Sequence, residues 1–149
     1  MTYQVLQNLT AGLLTGDNRL PNEPEIVLSM LEYALTTVAT KADSLHLMTL
    51  STEVDVLRMG VGDYLIRRPA LPILLTDTLD IDDELGFAVA RLIASMVSKD
   101  KGGIHVQAAD RIILDYNAKV YEIIDQMQSE AIAEGIDCAS EPCDTSFSL

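Results

Sequence analysis

The sequence has no apolar run approaching the roughly 18 residues that a membrane-spanning helix requires. Its positive charge is also scarce: 10 Lys and Arg stand against 23 Asp and Glu, for a net charge of −13. The first absence leaves no helix to thread a bilayer, so no membrane partner is expected. The second argues against sequence-specific nucleic-acid binding, because a surface that tracks phosphates takes a basic patch. Only Arg58, Arg67 and Arg68 come close together in the chain, and three charges do not make such a patch. After Lys119 there is no Lys or Arg at all, against seven acidic residues. A segment of that composition repels its own copies and suits a basic partner surface.

Metal-binding and nucleophilic side chains are few as well. The two cysteines, Cys138 and Cys143, lie near the C-terminus, and the two histidines, His46 and His105, are far from them in sequence. The cysteine spacing permits a disulfide, whereas a reducing cytoplasm favours two thiols. A zinc site needs two further strong ligands that this region lacks. The opening MTYQVLQNLTAGLL has neither the basic start nor the unbroken apolar core of a signal peptide, which sets the expectation of an intracellular origin.

His105 and Asp110 are five apart, off one helical face, with no Ser or Cys nearby to complete a nucleophilic set. His105 reads as a polar flank at a helix start, and His46, inside an apolar run, as a satisfied core histidine. Gly60-Val61-Gly62 and Gly102-Gly103 lack the preceding strand, following helix and lysine of a phosphate loop, and read as turns. Asp77, Asp80, Asp82, Asp83 and Glu84 are the densest carboxylates. A calcium loop, however, wants a glycine near its sixth position and a distant bidentate glutamate, and neither falls in register. The chain is therefore read as non-enzymatic, with no catalytic, cofactor-binding or metal-ligating residue.

What is present is helical periodicity. In DIDDELGFAVARLIASMVSK, residues Leu85, Val89, Leu92, Ile93, Met96 and Val97 make one apolar face. Asp80 stands at the N-cap, with Asp82, Asp83 and Glu84 in the first turn, where the helix dipole favours negative charge. Lys101-Gly102-Gly103 supplies the stop. A second helix, His105–Met127, repeats the pattern through Val106, Ala109, Ile113, Tyr116, Val120, Ile123 and Met127. So short a connection makes the two antiparallel neighbours.

Upstream, Thr2–Leu14 forms a short helix with Val5, Leu6, Leu9 and Leu13 on one side. Asn22-Glu23-Pro24-Glu25 starts another over Ile26–Thr40, with Val27, Met30, Leu31, Ala34, Leu35 and Val38 inward. LHLMTL and VDVLRM flank Ser51-Thr52-Glu53 as a small hairpin, although Leu and Met suit a helix equally, so strand and helix both stay open over residues 45–59. Arg67-Arg68-Pro69-Ala70-Leu71-Pro72 must be extended, since each proline restricts the residue before it. Arg67 and Arg68 read either as an exposed docking arm or as partners of the acidic helix start that follows.

The fold expected is mainly α: a small helical bundle on an antiparallel helix pair, with a short β-hairpin and an extended arm. With 149 residues the chain reads as one helical domain over residues 1–134, the hairpin and arm lying within 45–72. Residues 135–149 read as a flexible acidic tail.

Leu45–Pro72 followed by DIDDELGFAVARLIASMVSKDKGGIHVQAADRIILDYNAKVY resembles the head-to-tail connector, or adaptor, proteins of tailed bacteriophages. The Pro-rich approach, the acidic helix start at Asp80–Glu84, the Ala-rich Ala88–Val97 and the DYNAK stretch at Asp115–Lys119 carry the likeness, which covers about two-thirds of the chain. The resemblance implies a virion structural protein of the neck region, made in the host cytoplasm. It implies assembly as a homo-oligomeric ring that binds the portal and the adjoining tail proteins. Arg67, Arg68 and Pro69 of the arm, and Phe147 and Leu149 of the tail, would then be the docking residues. The alternative is a small acidic regulatory or inhibitor protein that occupies a basic partner surface.

Overall fold

A computed structural model describes residues 1–133. Its elements are α1 (Tyr3–Leu13), α2 (Pro24–Lys41), β1 (Met48–Thr49), β2 (Val56–Met59), β3 (Leu65–Arg67), α3 (Asp83–Val97) and α4 (Gly102–Ala133). The chain is mainly α, with a small antiparallel sheet, as its periodicity predicts. It divides into two units, Met1–Asn117 and Ala118–Leu149, so the division falls inside α4.

In the first unit α3 is the element on which the others pack, with α1 and α2 both lying against it. Its position follows from composition: Leu85, Ala88, Val89, Ala90, Leu92, Ile93 and Ala94 are all buried, more of the circumference than one amphipathic stripe would cover. Gly86 is buried too, and a Cβ there would sit 2.8 Å from the Met1 sulfur, so the missing side chain leaves room for Met1. From α2 come Val27, Leu31, Ala34, Leu35, Val38 and Ala39, at helical spacing. The buried side of α1 is Tyr3, Leu6 and Thr10; of the expected Val5, Leu6, Leu9 and Leu13, Leu6 is buried, Leu9 and Leu13 are half-buried and Val5 is exposed. Thr10 is tolerated inside because its hydroxyl donates to the Leu6 carbonyl at 2.8 Å.

The antiparallel pairing of α3 with the first part of α4 is fixed at both ends. Arg91 and His105 meet near the turn at 3.1 Å, and Tyr116 donates to Asp82 at the far end. The turn itself differs from expectation. Ser98 caps α3, and Gly102 and Gly103 are the first residues of α4 instead of the stop of α3. A Cβ on Gly102 would lie 3.0 Å from the Ser95 carbonyl oxygen, so the residue permits a close return. Within the first unit the inward stripe of α4 is His105, Ala109, Ile113 and Tyr116; the expected Ala109, Ile113 and Tyr116 are buried and the expected Val106 is exposed.

The sheet also departs from the expected hairpin. LHLMTL and VDVLRM do not pair with each other; β3 lies between β1 and β2, antiparallel to both. The hairpin is β2–β3, closed by the turn read at Gly60–Gly62, where Gly62 adopts φ +63°. Ile66 at the centre of β3 is fully buried.

Arg58 of β2 ties the sheet to the bundle. Its guanidinium donates to the carbonyls of Ala39 at 3.0 Å and Ala42 at 2.7 Å, and meets Asp43 at 3.2 Å. A cation thus satisfies orphan carbonyls at the negative end of α2. Asn117 completes that end, accepting from the Asp43 amide at 2.8 Å and donating to the Lys41 carbonyl at 3.0 Å.

In the second unit, the described residues continue α4 as one uninterrupted helix, and between Ala118 and Glu130 only Val120 is buried. Cys138, Cys143, Phe147, Leu149 and the expected tail over 135–149 lie outside the described residues.

Candidate functional site

The extended segment after β3 is held at its base by one carboxylate. Asp80 accepts two hydrogen bonds from Arg67, Nη1 to Oδ2 at 2.5 Å and Nη2 to Oδ1 at 2.7 Å. The same carboxylate accepts the Ala70 amide at 2.8 Å and contacts His46 Nε2 at 2.8 Å. Planar, bidentate pairing is the strongest form an ion pair takes on a protein, and here both side chains are largely shielded from water. The Arg67 hydrogen bonds hold the Asp80 carboxyl well below the usual carboxylate range, with the Ala70 amide and His46 adding to the effect and burial opposing it.

Asp80 is therefore not the cap of α3. That position falls to Asp82, whose carboxylate makes no capping bond and turns away from the helix. It accepts the hydroxyls of Ser44 and Tyr116 instead. Tyr116 in turn accepts the Leu45 amide at 2.9 Å. Burial, reinforced by the bond to Asp82, pushes the Tyr116 phenol above its ordinary pKa. Two aspartates two residues apart thus gather the loop after α2, the end of β3, the start of α3 and the middle of α4.

The far side of the segment is pinned to α1. The Tyr3 amide donates to the Asp77 carbonyl at 3.0 Å and the Gln4 amide to the Leu75 carbonyl at 2.9 Å. These are orphan donors of the first helical turn, satisfied here by tertiary contact. Asp77 closes the tip by accepting the amides of Ile73 and Leu74, both at 2.8 Å, and those bonds lower its pKa, the Leu74 amide most.

A loop fixed at both feet carries apolar residues outward at its tip: Ile73 is 90% exposed, Leu74 60% and Leu75 47%. Beside it lies a groove of about 500 Å³, lined by Tyr3 of α1, Pro21, Val27 and Leu28 near the start of α2, and Pro72 and Ile73 of the loop. Anchored apolar side chains in water next to an apolar groove are suited to docking another protein.

Of the residues singled out in the sequence, Arg67 is engaged by Asp80, and Arg68 lies on the exposed surface 3.2 Å from Asp55. Pro69, at the foot of the loop, is buried rather than presented on an exposed arm. His46 is not a core histidine: its ring is half exposed on Asp80. Sequence patterning alone does not single out Ile73–Leu75. The signal was an apolar triplet directly after a proline, with an aspartate four residues beyond Ile73 to close the turn. Among the described residues no three His, Cys, Asp or Glu side chains converge as metal ligands would, and the Ser44 hydroxyl donates to Asp82. No family model, curated protein or solved structure matches the chain.

His105 is more than a polar flank. It is buried in the first turn of α4, where its Nδ1 faces Arg91, a group that can only donate, so the ring accepts and is neutral. Burial lowers its pKa, and the neighbouring Arg91 and Lys101 lower it further. Because the folded chain refuses a proton that the unfolded chain takes up below about pH 6.5, stability is complete above that pH. It should fall as the pH drops below it. Melts between pH 7.5 and about pH 5.5 are expected to show this loss, and His105→Gln should flatten it.

Proposed function

We propose that the chain is a non-enzymatic structural protein of a tailed-phage particle: a head-to-tail connector that assembles as a ring and binds the portal and adjoining tail proteins. The likeness of Leu45–Pro72 and Asp80–Tyr121 to such connectors supplies the class. The observation that carries the reading is the anchored loop, which holds Ile73, Leu74 and Leu75 in water at fixed positions. A protein that worked alone would gain nothing from three exposed apolar side chains set on so rigid a base. Binding, in this reading, is done by the loop tip and the adjacent groove, with Arg68 at the rim.

The test is assembly. The purified chain is expected to form rings visible by electron microscopy, alone or with portal rings added. Ile73→Asp with Leu74→Asp should leave the melting temperature nearly unchanged, since both side chains are exposed, and abolish ring formation. A monomer at all concentrations that ignores portal rings but binds and inhibits a basic enzyme would overturn this reading in favour of the acidic inhibitor. Normal assembly of the double variant would remove the loop from the interface.

A further inference from the structure

The first turn of α4 is closed weakly. Lys101, the residue before it, has no acceptor with which to cap the free amides, and no acidic residue stands in the turn to meet the positive end of the helix dipole. Gly102 and Gly103 are poor helix formers. The hydrogen bond that closes the turn, from the His105 amide to the Lys101 carbonyl, is 3.4 Å long, beyond the usual range of about 2.7–3.2 Å. What holds this turn against α3 is one side chain. Ile104 and Val106 are exposed, whereas His105 is only 7% exposed, and the next inward residue is Ala109, a turn further on. The imidazole takes the place of a core residue, and it does so as a neutral acceptor for Arg91.

The charges that bear on the ring are of one sign. Arg91 reaches it from α3 and Lys101 from the turn, and both oppose a proton on it. Lys99 and Asp100 of the turn are exposed, and Asp110, further along α4, pairs with Lys41 of α2 at 3.2 Å. A proton on Nδ1 would end the bond to Arg91 and set two cations side by side in a buried place. It would also add positive charge at the positive end of the helix.

We infer that the first turn of α4 is an acid-released latch: protonation of His105 unwinds residues 102–105 from α3 and leaves the rest of the first unit folded. Opening gives the ring water and distance from Arg91, and it gives up one long hydrogen bond and the order of two glycines. Parting α3 from Ala109, Ile113 and Tyr116 would expose far more, so the turn opens and the pair of helices stays. The acid sensitivity described above is then seated in one turn and capped by the cost of opening it, whatever the partners of the chain. Opening sets in below about pH 6.5, where a solvated histidine takes up its proton.

Amide hydrogen exchange of the full chain, read residue by residue by NMR and expressed relative to the unfolded rate at each pH, locates the opening. Between pH 7.5 and about pH 5.5, protection of the His105, Val106 and Gln107 amides should fall by up to about tenfold, the factor by which a free histidine favours its proton one pH unit below its pKa. Val89, Ile93 and Ile113 should keep their protection over the same range. His105→Gln, which retains an acceptor for Arg91, should hold the three amides constant. Arg91→Gln, which keeps a donor to the ring and removes the opposing charge, should shrink the fall. An equal fall at Val89, Ile93 and Ile113 would mean that acid acts on the whole unit, and it overturns the proposal. So does unchanged protection of the three amides in the native chain, or the same fall in His105→Gln.

Discussion

Leu85→Ala is expected to destabilise the fold by about 3 kcal/mol or more, within the range of roughly 2–5 kcal/mol for emptying a packed leucine site. Leu85 is fully buried in the first turn of α3, among the side chains on which α1 and α2 pack. Its removal loses transfer free energy and leaves a cavity that three helices cannot close without moving their own contacts. Val89, equally buried one turn on, should lose less as Val→Ala because fewer atoms leave. Denaturant melts give both numbers. A loss below about 1 kcal/mol for Leu85→Ala, less than any well-packed leucine costs, would mean that α3 is not the centre of the core.

Asp80→Ala should cost about 2–3 kcal/mol, above the roughly 1 kcal/mol of a lost helix cap. The difference comes from what is left behind: an Arg67 guanidinium with its two charged hydrogen bonds gone and an Ala70 amide without its acceptor. The effect has a pH signature. The folded carboxyl is held below the value of about 3.9 that it has in the unfolded chain. Its contribution is therefore present above about pH 4 and is lost as the pH falls further, through the folded value. The stability gap between the native chain and Asp80→Asn should shrink in acid and be constant above about pH 5. A gap independent of pH would show that Asp80 acts through packing alone.

Helices α2, α3 and α4 were legible because their apolar residues recur every three or four positions over several turns. Leu31, Leu35, Val89, Ile93 and Ile113 are named by that pattern and are buried. The strands were not legible in their pairing. Runs of two, four and three residues carry too little alternation to say which neighbours which, and β3 contains an arginine committed elsewhere. At the candidate site, the prolines marked an extended segment and the charge pattern offered Arg67 as a partner of the acidic helix start, as found. Neither says which carboxylate takes it or that the same group also holds the Ala70 amide. Asp80 looked like a cap because acidic residues at helix starts usually are. The choice among Asp80, Asp82 and Asp83 was made by Arg67 and Tyr116, whose approach depends on the whole first unit.

The attachment of α1 has a consequence for how the chain is made. The backbone partners of Tyr3 and Gln4 are Asp77 and Leu75, and the face of α1 that buries Leu6 packs on α3. A ribosome releases the chain from its N-terminal end, so α1 emerges long before any group that can hold it. An isolated helix of that length is marginal in water. Residues 3–13 must then wait, largely unstructured, until the loop and α3 have left the exit tunnel. The docking of α1 becomes a late, long-range event, and the loop that it pins acquires its second foot only then.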